Sequence, residues 1–176
     1  MVERSQPLAR ADFEAVVLPH LDAAYNLARW LTRNTADADD VVQEAALRAA
    51  TYFAGFRGTN ARAWLLQIVR NVAYTSKKLV RGAVPVGLPG ENGAPELADP
   101  GDDPETALIR REDVRRATRL LASLPAELRE ILVLREIEEF SYKEIAQVTE
   151  MPIGTVMSRL WRGRQLLAAA VKAEQG

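Results

Sequence analysis

The sequence predicts an all-α chain of two small helical domains joined by a flexible acidic linker. Three observations carry that expectation. Apolar residues recur at three-and-four spacing through both halves, no stretch alternates as a strand would, and residues 82–104 hold five Gly and five Pro in 23 positions. A length of 176 residues suits one domain, or two of roughly 70 residues each.

The front domain is expected over 11–81. Phe13, Val16 and Val17, then Leu21, Ala24, Tyr25, Ala28 and Leu31, share one helical face, and Pro19 within the run either kinks one helix or starts a second. A further helix starts after the Asn34–Thr35 cap and runs to about Phe53, with Gly55 as its stop. The next starts after Asn60 and continues to about Lys78, burying Trp64, Leu65, Ile68 and Val72. Trp30 is also expected in the core. The linker, 82–104, shows no sustained apolar period and carries one sign of charge.

The rear domain is expected over 105–173. Asp103–Pro104 is a cap followed by proline at the first helical position, and that helix continues to Ser123. Pro125 opens another, ending near Glu136. Ser141-Tyr142-Lys143-Glu144 fits a capping box, in which hydroxyl and carboxylate reach reciprocally for helix-start N–H groups. The short helix 142–149 ends at Glu150–Met151–Pro152. A last helix runs from about Ile153 to Lys172, with Val156, Leu160, Leu167 and Val171 facing inward.

Composition narrows the function. With 23 Lys+Arg against 24 Asp+Glu the net charge is −1, yet the charges are segregated. Six acids and no base lie between Arg81 and Arg110, and four bases and no acid lie between Glu150 and Glu174. Local basic surface rather than overall charge binds polyanions, so nucleic acid stays a candidate partner. Zero Cys removes disulfides, thiolate zinc sites and Cys nucleophiles, and the single His20 has neither a nucleophile elbow nor a second His to support a catalytic triad. Asp37, Asp39 and Asp40 do not form a magnesium site, because a helix points Asp37 and Asp39 in nearly opposite directions. No Gly-rich phosphate loop is present, and the start of the chain lacks the basic-then-apolar order of a secretory signal. The chain is expected to be cytoplasmic, without membrane insertion, and not an enzyme.

A capped short helix, a tight turn and a longer helix with polar and basic outward residues follow the grammar of a helix-turn-helix. Thr155, Ser158, Arg159, Arg162 and Gln165 recur on the outward face of that last helix. Such groups contact phosphates and base edges. The competing reading, a solvated basic helix on an ordinary bundle, explains the lack of acids over the same stretch less well. In front, Arg70, Asn71, Tyr74, Lys77 and Lys78 interleave base, amide and aromatic groups, as a single-strand interface does. Asp37, Asp40 and Glu44, with Asp39 and Gln43 beside them, line one side of their helix; first-turn acids also favour the helix dipole, which accounts for Asp37 better than for Glu44.

SLPAELREILVLREIEEFSYKEIAQVTEMPIGTVMSRLWRGRQLL (123–167) resembles the promoter-recognition domain of sigma factors. DADDVVQEAALRA (37–49) and FRGTNARAWLLQIVRNVA (56–73) resemble their other domain, in the same order. The chain is therefore similar to sigma-70-family factors of the small two-domain, extracytoplasmic-function type. The resemblance implies that Asp37, Asp39, Asp40, Gln43 and Glu44 dock on core RNA polymerase. It implies that Asn60, Arg62, Arg70, Asn71, Tyr74, Lys77 and Lys78 read and melt the minus-ten element. Thr155, Met157, Ser158, Arg159, Trp161, Arg162 and Arg164 would read the minus-thirty-five element. Met157 and Trp161 depart from the basic, small or polar residues common there, so the target sequence does not carry over from the family. The implied partners are core RNA polymerase (clamp helices and flap), promoter DNA and an anti-sigma factor, with no cofactor. The alternatives are a stand-alone helix-turn-helix repressor and a sigma-like mimic that sequesters an anti-sigma factor.

Overall fold

The structure, a computed structural model, describes residues 6–76, 101 and 103–176. Lys77, Lys78 and nearly all of the expected linker lie outside the described residues. Among those described, the regular elements are helical and none is long and apolar enough to cross a membrane.

Pro19 separates the first two helices rather than kinking one. α1 (Gln6–Val17) and α2 (Leu21–Thr32) flank a single 3-10 turn, Leu18–His20, with Pro19 near its start where a missing N–H costs nothing. α2 ends at Arg33, whose φ of 54° is the left-handed stop that glycine more often supplies. The Asn34 side chain accepts from the Asp37 N–H at 3.0 Å and opens α3 (Thr35–Tyr52). Asn60 accepts from the Ala63 N–H at 3.0 Å and opens α4 (Ala61–Thr75). The front core is built mostly of small residues: Ala24, Ala28, Ala38, Ala45, Ala49, Ala63 and Ala73 are wholly buried. Small contacts let α2, α3 and α4 approach closely around Leu27, Leu31, Leu66 and Val69. Trp64 is only half-buried, in an edge cluster with Phe13, Phe53 and Phe56, whereas Trp30 is core as expected.

In the rear half, Asp103 accepts from the Thr106 N–H at 2.9 Å and opens α5 (Pro104–Ser123). α6 (Ala126–Leu132) stops short of Glu136; a π turn, Val133–Ile137, follows it. That turn and the left-handed Glu139 (φ 56°) bring the chain round to the buried Phe140. The capping box forms: Ser141 Oγ accepts from the Glu144 N–H at 3.2 Å, and Glu144 Oε2 from the Ser141 N–H at 2.7 Å. α7 (Tyr142–Thr149) ends at another left-handed residue, Glu150, and α8 (Ile153–Gln175) follows Pro152. α8 lies against α6 at Gly163, where a Cβ would meet Leu132 Cδ1 at 3.0 Å. A side chain there would require Leu132 to shift.

The two halves pack on one another. α4 lies against α7 and α2 against α6, and one apolar cluster runs continuously from Leu27 and Leu66 to Phe140 and Val148. Arg129, buried at this seam, donates to the carbonyls of Ala122 and Leu124 at 3.1 and 3.3 Å. Burial, and then the neighbouring Arg33, lower its guanidinium to about 10.

Candidate nucleic-acid interface

The outward face of α8 follows from its buried one. Val156, Leu160 and Gly163 turn toward α6, which leaves Ser158, Trp161, Arg162 and Gln165 on the opposite side. Met157 and Trp161 are 51% and 67% exposed. Ser158, Trp161 and Arg162 also edge an open hollow of about 570 Å³ whose other wall is Pro125, Glu127 and Leu128 of the preceding segment. Two expected outward residues sit differently. Thr155 is half-buried, and Arg159 is half-buried and leans to Glu127 of α6 at 3.6 Å. Arg164 is exposed and held by Glu136 at 2.7 Å, which also raises its guanidinium.

On α4, Arg70 and Tyr74 come together, and Asn71, next to Arg70 in the chain, is half-buried. The Arg70 guanidinium stacks over the Tyr74 ring at 4.3 Å. Asn60 and Arg62 are set at the start of the same helix by the Asn60 cap. Asn60, Arg62, Arg70 and Tyr74 each have an acidic partner on the far side of the seam. Arg70 Nε donates to Glu130 Oε1, and Tyr74 Oη donates to Glu130 Oε2 at 3.1 Å. Arg62 pairs with Glu138 at 2.9 Å and lies 4.3 Å over Phe140, while Asn60 Nδ2 donates to Glu144 at 2.7 Å. Gln67 donates to Glu150 at 3.0 Å.

The titration behaviour follows from this packing. Burial pushes Glu130 above the usual carboxylate range against the pull of Arg70 and Tyr74. Burial also opposes the charge on Arg70, but the charge and hydrogen bond of Glu130 prevail and raise it. Tyr74 is pushed up to about 12 by burial and then by Glu130. His20, nearby, is lowered by burial and by Arg62.

The acidic strip stands on α3. Asp39, Asp40, Gln43 and Glu44 are exposed on one side, whereas Asp37 is half-buried at the cap. Glu44 is paired with Arg48 at 2.8 Å one turn on. Sequence reasoning missed Leu47, 61% exposed about one turn beyond Glu44, and Tyr52, 66% exposed at the end of α3. The signal was available: Leu47 is out of phase with Val41, Ala45 and Ala49, which face the core. It also missed that four glutamates face α4; in sequence Glu144 reads only as a cap, and Glu130, Glu138 and Glu150 as solvated residues.

Comparison with known families accounts for both halves in order. Residues 16–79 match Sigma-70 region 2 and residues 115–167 match Sigma-70, region 4. The chain belongs to the sigma-70 family. Among curated relatives, this sigma-70-family chain is 33% identical over 182 aligned positions to the RNA polymerase sigma-H factor of Pseudomonas aeruginosa, covering 98% of this chain and 92% of that one. It is 31% identical over 175 positions to the ECF RNA polymerase sigma-E factor of Escherichia coli K12, covering 95% and 90%. Among solved structures, it superposes with a TM-score of 0.67 on the sigma factor RpoE of Bartonella quintana, crystallised with the anti-sigma factor NepR, at 26% identity over 92% of this chain and 97% of that one. CnrH, solved with the cytosolic domain of CnrY, gives a TM-score of 0.66 at 26% identity, covering 93% and 90%. These relatives span both halves, so the similarity does not rest on the helix-turn-helix alone.

Proposed function

We propose that the chain is a promoter-specificity subunit that binds core RNA polymerase and directs initiation at a particular set of promoters. The observation that carries this reading is the presence of both sigma regions, in order, in a chain whose α8 projects an exposed polar and basic face above a capped partner helix. The front domain, 11–81, docks on the polymerase clamp through Asp39, Asp40, Gln43 and Glu44, with Leu47 as an apolar neighbour. Opposite charge on the partner would orient the encounter, and Leu47 would supply a desolvated contact. Arg62, Arg70, Asn71 and Tyr74 hold the melted minus-ten strand, with phosphates against guanidinium groups and a base against the ring. The rear domain, 105–173, reads duplex DNA through Ser158, Trp161 and Arg162, flanked by Met157 and Arg164.

All of this is binding work and needs neither a cofactor nor a catalytic group, so the chain is no enzyme, and it acts in the cytoplasm where the polymerase is. An anti-sigma factor restrains it, a reading supported by the solved relative RpoE, whose structure is a complex with the anti-sigma factor NepR. The test is co-elution of the chain with core polymerase, followed by footprinting of the complex on DNA selected by it. Two protected elements, upstream and near the start site, are expected. A chain that does not co-elute with core polymerase rejects the proposal.

A further inference from the structure

Two guanidinium groups between α2 and α6 pair with no carboxylate among the described residues. Arg129, on α6, is 3% exposed, and only the carbonyls of Ala122 and Leu124 accept from its Nη1. Arg33, the half-buried stop of α2, holds its Nε out of reach of solvent with no hydrogen-bond acceptor beside it. A buried donor on a charged group is costly to leave unmet.

The fold brings the two side chains to one place from opposite halves. Trp30, one turn before Arg33, packs with Ala122 and Val133, and the Ala122 carbonyl is one of the two that hold Arg129. Arg33 is close enough that its charge, after burial, lowers the Arg129 guanidinium, and burial lowers Arg33 itself. Nothing beside them offsets both charges. Glu130 follows Arg129 and acts on it, but its two oxygens accept from Arg70 and Tyr74. The carboxyl end of α2 supplies roughly half a negative charge against two cations.

We infer that Arg33 and Arg129 form a binding site for a phosphate group, which enters past the half-buried Arg33 and is held by both guanidinium groups. Each guanidinium presents a planar fork of donors that matches the oxygens of phosphate. A phosphate dianion balances two cations at once, whereas a carboxylate or a phosphodiester balances one. The burial of Arg129 restricts the ligand to the free ion or to the terminal phosphate of a small ester. Neither arginine is among the groups proposed to hold DNA, so the site stands independently of the function proposed above.

The test is calorimetric titration of the full-length chain with inorganic phosphate, at an ionic strength held constant with sodium chloride. Saturable binding of one phosphate per chain is expected. Arg33→Gln, with helix content verified by circular dichroism, should weaken it roughly tenfold or more, as the loss of a charge-assisted hydrogen bond does. Arg129→Lys, which keeps the charge but loses the fork, should weaken it as well; because Arg129 is buried, Arg33→Gln decides if that chain does not fold. Arg57→Gln, which removes an exposed cation of the front half, should leave binding unchanged. Adenosine triphosphate that displaces phosphate at lower concentration assigns the end of a nucleotide, and its failure to do so assigns the free ion; either result keeps the site. Heat no greater than that of dilution overturns the inference, as does equal affinity in Arg33→Gln or an equal loss in Arg57→Gln. Dimethyl phosphate, a monoanionic diester, should not compete, and competition as strong as that of unlabelled phosphate overturns the match to a dianion.

Discussion

Replacing Asp39 and Asp40 together by lysine separates docking from folding on α3. Both are exposed, and they are the fifth and sixth residues of a helix that begins at Thr35. The helix dipole acts on charges within the first turn at about 0.3–1 kcal/mol each, so two reversals beyond it cost at most about 2 kcal/mol of stability. A chain with both substitutions should therefore still fold, with a modestly lowered melting temperature by circular dichroism. If the strip meets basic groups on core polymerase, the same reversals create like-charge contacts worth several kcal/mol. At about 1.4 kcal/mol per tenfold, the affinity should fall by roughly a hundredfold or more. Titration of labelled chain with core polymerase measures it, and Gln43→Ala should show a smaller loss in the same assay. A folded double variant with unaltered affinity would refute the docking assignment and the role given to the front domain.

The other expectations test separate parts of the molecule. Arg162→Ala should reduce promoter-specific transcription by about 1–3 kcal/mol if the guanidinium reads a base, and equal loss on all DNA sequences would make it a phosphate contact instead. Asn71→Ala should slow open-complex formation on duplex promoters more than on templates melted beforehand; equal loss on both would remove it from melting. Gly163→Ala should lower the urea midpoint, since a Cβ 3.0 Å from Leu132 Cδ1 and 3.2 Å from its Cγ overpacks the α6–α8 contact by about 1–3 kcal/mol, more than the roughly 0.5–1 kcal/mol of helix propensity gained. An unchanged or raised midpoint would contradict that packing. Glu144 is held below the usual carboxylate range by the Ser141 N–H, with further hydrogen bonds from Asn60 and Ser141, so its contribution is present above that range and lost on acidification through the lowered value. Glu144→Gln should flatten the acid limb of a stability-versus-pH curve, and an unchanged limb would contradict the assignment.

What the sequence made legible was local. Asn34, Asn60, Asp103 and the Ser141–Glu144 box act on N–H groups a few residues away, so their helices could be expected at nearly the right bounds. The alternation of Val156, Leu160 and their neighbours likewise fixed which side of α8 stays exposed. The π turn was not legible, because Val133–Ile137 has the same apolar and charged pattern as an α-helical continuation. Nor was the seam. Glu130 and Glu138 look solvated among their neighbours in sequence, but their partners Arg70 and Asn26 lie 60 and 112 positions away. Arg159 was expected outward from its period and is half-buried, with Glu127 of the adjacent helix 3.6 Å away. Pairing across the molecule leaves no periodic trace, and that is where the local argument stopped.

The central claim is that this chain tells core RNA polymerase where to start. The most direct measurement maps the 5′ ends of transcripts made by core polymerase on a randomised promoter library, with and without the chain. The account predicts new start sites only when the chain is present, preceded by two shared elements at fixed spacing, with preferences at the upstream element that change in Arg162→Ala. Start sites that are the same in both reactions would contradict it.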